Sequence, residues 1–394
     1  MRAIKIQPSL LAIVCVAVLC TILTLGLWPF HAPANQVSWL DHRNGLRFGR
    51  YGTVFSAGSF LIALPQKQPG ASLEIWLQPR RIWDSATFLA FYTPENLFQF
   101  SLYQSQTGLL LRTAGAPHRS VASLYVGDVF RKPQPVFITI CSAERGVWIY
   151  VNGAPAAANP RFPLSAQAFG GRLVLGDSPG QNDSWSGLLR GLAIYQRPLT
   201  APEVALNYAA WKQNGRPEIN GNSRNVALYL FDERAGNMVR DKAGSGIDLW
   251  IPPKYQVAQK IFLEPFWNEF SFSRDYWSAA LKNVVGFIPL GFVFYVFLLT
   301  RIPRRALLVT VAWGTAVSFT IEVLQAFLPT RESGTTDLIT NTLGAWMGAV
   351  LYRFLAPALA RFLPWIFLPS PAAPDLAPLA SAPRSDGIRL ARFQ

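Results

Sequence analysis

Two hydrophobic patterns, set apart along 394 residues, predict a multidomain membrane protein: an all-β sandwich joined to an α-helical bundle of about four transmembrane helices. Apolar runs at 9–28, 283–300, 306–328 and 338–355 each approach the roughly 17–25 residues needed to cross a bilayer. Between the first and second, apolar residues alternate over short runs bounded by Pro and Gly, the period-2 signature of strands. Composition agrees. Hydrophobic residues make up 51% of the chain and charged residues only 15%, against about 25% charged in ordinary soluble domains.

The formal net charge of +14 invites a nucleic-acid reading, but its distribution argues against one. Arg2 and Lys5 precede the first apolar run, Arg301, Arg304 and Arg305 lie between two others, and Arg353, Arg361, Arg384, Arg389 and Arg392 fall late in the chain. That is the positive-inside pattern, which orients helices rather than contacting DNA. Of three cysteines, Cys15 and Cys20 sit in the first apolar run and Cys141 stands alone, so the β-region has no internal disulfide. The three histidines are scattered without metal-ligand spacing, and nothing supports a zinc site.

Taken in order, residues 1–34 form an N-terminal segment whose run 9–28 is led by basic residues and closed by Trp28. Ala32-Pro33-Ala34 resembles a signal-peptidase site. The apolar run exceeds the usual 7–15-residue core of a signal peptide, which favours an uncleaved anchor. Either reading places the next region outside the cytoplasm.

Residues 35–257 read as the sandwich. Ser72–Gln78 alternates, and Val147–Val151 runs into Asn152-Gly153, the strongest short hairpin signal. Several such strands suggest two packed sheets. The Glu74-Ile-Trp76 strand, Trp148–Gly153, Leu173–Asp177, and Gly187–Thr200 followed by Glu203-Val204 resemble a concanavalin-like (jelly-roll), laminin-G-type lectin domain. Ala227–Glu233 with Gly236 and Asp241 looks like the opening strand of such domains, yet here it follows the body. Either 226–256 closes the sandwich as a permuted strand or it forms a separate hairpin. The resemblance implies a glycan ligand, sometimes with calcium at the rim. Asp177, Asn182 and Asp183 offer oxygens for that ion, although Asp-Ser-Pro-Gly and Asn-Asp-Ser are also ordinary loop formers. Residues 35–250 hold 21 basic and 14 acidic side chains, a balance of +7, which favours an anionic glycan or membrane surface.

Residues 258–282 are an aromatic stretch with Phe262, Phe266, Trp267, Phe270, Phe272, Tyr276 and Trp277, read as an interfacial belt. Residues 283–358 carry three further helices, and 359–394 are a basic Pro/Ala/Ser-rich tail expected to be disordered on the cytoplasmic side. Alternating the spans leaves both termini inside and the sandwich outside.

The chemistry concentrates in the last helices. Ser318, Glu322 and Gln325 are spaced i, i+4, i+7 and share one helix face; Asp337, Asn341, Gly344 and Gly348 repeat the pattern on the next run. The two faces are expected to meet. A carboxylate within the bilayer costs roughly 2.5–3.5 kcal/mol on insertion scales, so Glu322 requires partners. Asn341, Gln325, Arg331 from the loop and Asn283 from the preceding run are the candidates, while the Gly344/Gly348 pair permits close helix approach. Asn283–Gly291, Ser318-x3-Glu322-x2-Gln325 and Arg331-x5-Asp337-x3-Asn341-x2-Gly344-x3-Gly348 resemble the VanZ-like membrane family over residues 260–358. Some members are associated with resistance to the glycopeptide teicoplanin. Two roles follow. One is a bacterial inner-membrane protein whose lectin-like sandwich holds an envelope glycan. The other is a membrane enzyme acting on a lipid-linked or cell-wall glycan, with Glu322, Arg331 and Asp337 as its catalytic groups. In a third reading the polar residues simply hold helices in register.

Overall fold

The computed structural model describes residues 8–61, 70–114, 121–180, 183–218 and 225–362. Helix α1 (Pro8–Leu27) is followed by strands β1 (Val37–Trp39), β2 (Leu46–Phe48), β3 (Val54–Ser56), β4 (Gly70–Pro79), β5 (Asp84–Thr93), β6 (Asn96–Gln106), β7 (Gly108–Ala114) and β8 (Val121–Val126). Then come β9 (Val136–Ala143), β10 (Gly146–Val151), β11 (Ala154–Asn159), β12 (Arg172–Leu175), β13 (Gly187–Tyr195) and helix α2 (Ala201–Asn214). Short strands β14 (Asn225–Tyr229), β15 (Met238–Val239) and β16 (Leu249–Trp250) precede helices α3 (Phe266–Glu269), α4 (Arg274–Leu299), α5 (Ala306–Gln325) and α6 (Thr335–Phe362).

Two antiparallel sheets form the sandwich. The first runs β1-β2-β13-β4-β9-β10-β11, with β14 beside the second half of β13; the second runs β15-β16-β3-β12-β5-β6-β7-β8. Alternating side chains of both sheets, among them Leu73, Ile75, Phe91, Phe100 and Ile138, meet in one core that Trp185 joins from the loop before β13. The Asn152-Gly153 turn joins β10 to β11 with both residues at positive φ, 51° and 78°, as a two-residue hairpin of matching twist requires. The open alternatives for 226–256 resolve here: β14 pairs with β13, and β16 pairs with β3 at the edge of the second sheet. Ala227, Tyr229, Phe231, Val239 and Leu249 enter the shared core.

Strand β4 is buried on both faces rather than alternating, because α2 lies on the outer face of the first sheet. Val204 and Trp211 of α2 pack there with Phe137, Tyr195 and Leu228. Glu74 projects under the helix and accepts hydrogen bonds from the Tyr195 hydroxyl (2.7 Å), Asn207 Nδ2 (3.0 Å) and Trp211 Nε1 (3.1 Å). A polar anchor thus ties helix to sheet, with its carboxylate supplied with donors as burial demands.

The chain separates into two compact units, one of Leu23–Ala280 with Ala316–Ile339, the other of Met1–Ile22, Leu281–Thr315 and Thr340–Gln394. Within the second, Gly344 and Gly348 of α6 face the Val284 and Ile288 carbonyls of α4, and Gly291 of α4 faces the Ala345 carbonyl. A Cβ at any of the three would overlap backbone, so these glycines permit helix contact closer than side chains allow. The small-residue face expected against the preceding helix therefore meets α4, while Thr315 and Thr342 touch at 3.1 Å between α5 and α6.

Among the described residues three helices are long and apolar enough to cross a membrane: Ser9–Leu27, Tyr276–Leu299 and Ala306–Gln325. The expected fourth, α6, is not among them, since its threonines, Asp337, Asn341 and Arg353 dilute its apolar character. Helix α4 starts well before residue 283. Ser273 caps it, its hydroxyl accepting the Tyr276 N–H at 3.2 Å, so Tyr276 and Trp277 of the aromatic stretch belong to its first turn. The expected tail, apart from the end of α6, lies outside the described residues.

Candidate functional site

Ser318, Glu322 and Gln325 are all buried on one face of α5, as their spacing demanded. Glu322 is 1% exposed. Its Oε2 accepts the Gly334 backbone N–H at 2.9 Å, and the Ser333 hydroxyl also donates to it. Gln325 donates to the Gly26 carbonyl of α1 at 2.7 Å. Arg331 makes no ion pair with Glu322 among the described residues; its backbone carbonyl instead receives the Lys260 ammonium. Asp337 occupies the first turn of α6, where a negative charge complements the helix dipole. Asn341 is buried on the same helix. Asn283 lies on α4 and, with Asn341, belongs to the other compact unit.

The reason for a buried glutamate here is thus the start of α6. The first N–H groups of a helix have no partner within it. Here Glu322 takes that of Gly334, and Glu269 Oε2 takes that of Thr336 at 2.9 Å. The loop before α6 is also strapped to the segment leaving the sandwich. Glu264 N–H donates to the Ser333 carbonyl, and Thr335 N–H donates back to the Glu264 carbonyl, both at 2.9 Å. Ser333, Gly334, Glu264 and Glu269 were not among the residues picked out by sequence. A serine and glycine before a capped helix were a usable signal; the two glutamates, set among aromatics, offered none.

In the sandwich, Asp177 is buried at 0% exposure and occupied by protein donors. It accepts the backbone N–H groups of Ser178 and Asp183, both at 2.7 Å, together with the Ser184 and Tyr255 hydroxyls. Burial pushes its carboxyl up to about 7. It organises its loop and has no lone pair turned to a rim ion. Asp183 accepts the Thr87 hydroxyl at 2.8 Å, and burial likewise holds it at about 7. Asn182 lies outside the described residues. Among the described residues no group of three or more His, Cys, Asp or Glu side chains could hold a metal ion.

A separate feature is a cleft of about 960 Å³ on the outer face of the second sheet. Register explains it. Phe55, Val174, Ala90, Ser101, Arg112 and Ser123 form one row across β3, β12, β5, β6, β7 and β8. The departing chain covers the first half, where Ala258, together with Leu97 of β6, packs on Phe55, Ala90, Tyr92 and Val174. The other half stays open, floored by Ser101 and Arg112, ended by Asp183 and overhung by Glu264–Asn268.

Family comparison matches residues 56–205 to the concanavalin A-like lectin/glucanases superfamily and residues 235–356 to VanZ/LLP1. The chain pairs a concanavalin-like domain with a VanZ-like segment. The VanZ-like match opens at 235, inside the sandwich, and includes β15, β16 and the roof of the cleft. Solved structures resemble parts of the chain at low identity. The binding domain of a Paraclostridial mosquitocidal protein is 12% identical, covering 46% of this chain and 47% of that one at a TM-score of 0.36. A proposed carbohydrate-binding protein from Bacteroides ovatus is 12% identical, covering 54% and 58% at 0.36. A pentraxin from Limulus polyphemus is 16% identical, covering 57% and 94% at 0.33. The chain spans about half the length of the first two structures. No curated protein matches it.

Proposed function

We propose that this is an integral protein of the bacterial inner membrane that holds its concanavalin-like domain outside the cytoplasm and captures an envelope glycan there. The observation that carries this reading is the union of a lectin-type sandwich with a VanZ-like segment and, among the described residues, three helices of membrane-spanning length. Sidedness rests on the basic residues: Arg301, Arg304 and Arg305 between α4 and α5 favour the cytoplasmic side, leaving the sandwich on the other. Spheroplast proteolysis tests it. Trypsin added outside should remove the sandwich while the membrane stays sealed, and a protected sandwich would reverse the topology. The full chain in nanodiscs should also be retained on immobilised envelope polysaccharide and released by soluble saccharide.

The enzyme reading, with Glu322 as acid/base beside Arg331 and Asp337, draws less support. Glu322 is engaged by Gly334 and Ser333, and Arg331 is not paired with it. A role in glycopeptide resistance is the finer reading of the VanZ-like match. It predicts that a deletion strain shows a lower inhibitory concentration of teicoplanin, restored by the wild-type chain.

A further inference from the structure

The cleft on the second sheet differs in chemistry from the sandwich as a whole. The region's surplus of basic residues favours an anionic ligand, but the cleft mixes signs: Arg112 on its floor, Asp183 at its end and Glu264 on its overhang. Arg112 lies over the Tyr103 ring, 4.3 Å from the centroid. That stacking holds the guanidinium plane while leaving its edge donors for a ligand. Among the described residues Arg112 joins no salt bridge. Asp183 offers acceptors from a side chain braced by Thr87. Asn96 and Asn268 add amides able both to donate and to accept. The lining also carries two exposed rings, Trp267 at 67% on the overhang and Phe98 at 44% on β6. Planar polar side chains beside exposed aromatic rings suit a sugar ring, whose hydroxyls lie around its edge and whose C–H groups cover its faces. At about 960 Å³ the cleft stands at the upper end of small-molecule pockets, about 300–1,000 Å³, so it accommodates several rings rather than one.

We infer that this cleft binds an uncharged oligosaccharide, and that the site is composite: the sandwich supplies the floor, and Glu264–Asn268 of the VanZ-like segment supplies the roof. The inference rests on the glycan-capture reading and deepens it. The roof is held in place by main-chain hydrogen bonds of Glu264 to Ser333 and Thr335, so the loop before α6 positions one wall of the site. A concanavalin-like domain cut off before residue 264 lacks that wall.

The test uses the full chain in nanodiscs and two sets of probes: neutral cello-, malto- and chito-oligosaccharides, and acidic oligogalacturonates. The wild type should bind at least one neutral series, with an affinity unchanged between low and high salt because no ligand charge is involved. Trp267→Ala removes the exposed roof ring, and Ser101→Trp fills the floor; each should weaken binding at least tenfold. Trp83→Ala, removing a ring that is 76% exposed and lines no part of the cleft, should leave affinity unchanged. Preference for the acidic probes, with strong salt dependence, would overturn the ligand class. Neutral binding that survives both cleft substitutions would place the glycan elsewhere and overturn the composite site while leaving glycan capture intact. No binding to either probe set, and none to envelope polysaccharide, would remove both readings.

Discussion

Asp177 illustrates how a conspicuous residue carries two readings in a sequence, rim ligand or loop former, between which only the fold chooses. An aspartate in an Asp-Ser-Pro-Gly loop looks like a rim ligand, yet the structure buries it beneath Tyr255, a partner 78 residues away. No local pattern reports that distance. Glu322 was legible because its cost in an apolar run is large whatever surrounds it; its true partners, a backbone N–H and a serine, carry no sequence pattern comparable to an arginine. Burial raises Glu74, Asp177 and Asp183 each to about 7, against about 4 in an unfolded chain. Between those values the folded state holds more protons than the unfolded, so the stability these three groups contribute is fully present below about pH 4 and is lost as pH rises toward 7. The loss is at most about 1.4 kcal/mol per group per pH unit. Unfolding of the sandwich, followed by tryptophan fluorescence, should therefore occur several degrees higher at pH 5 than at pH 8; a flat or reversed profile would contradict the burial of these three carboxyls. Glu74→Gln leaves one acceptor oxygen for three donors and should cost about 1–3 kcal/mol. The same change should reduce the pH dependence, a result that simple loss of packing would not produce.

The legibility of each element follows the distance over which its partners are drawn. The Asn152-Gly153 hairpin and the glycine face of α6 are local patterns, and both were readable, although the helix that Gly344 and Gly348 approach was not. Residues 226–256 were ambiguous because β14 and β16 pair with strands distant in the chain, β13 and β3. At this scale the loop before α6 makes a sharp prediction. Glu322→Ala leaves the Gly334 N–H without its acceptor and should speed hydrogen exchange across 326–336, with little effect on β4 or β9. Unchanged exchange there would show that Glu322 does not hold the loop. Gly348→Leu, placing a side chain against the Ile288 carbonyl, should lower the yield of folded protein more than Gly286→Leu, where nothing lies within 4 Å of the added Cβ. Equal yields would deny the close approach of α4 and α6.

Across the whole molecule, fold class and composition were readable because bilayer length and strand alternation are coarse signals. The cleft was not, since its walls come from β6, β7, the Asp183 loop and the VanZ-like segment, which only the tertiary fold assembles. One feature of that fold concerns where the sandwich begins and ends. Ala34 bridges Lys254 in antiparallel fashion, Asn35 N–H donates to Pro253 at 3.2 Å, and Tyr255 N–H donates to Pro33 at 2.9 Å. The chain enters and leaves the sandwich at neighbouring points, the geometry of a cassette spliced into a host. Replacing residues 36–252 with a short Gly-Ser linker should accordingly yield a miniature that still inserts into membranes, which detergent extraction and size exclusion would reveal as a discrete species rather than an aggregate. If it does, other recognition domains with adjacent ends could be exchanged at the same junction.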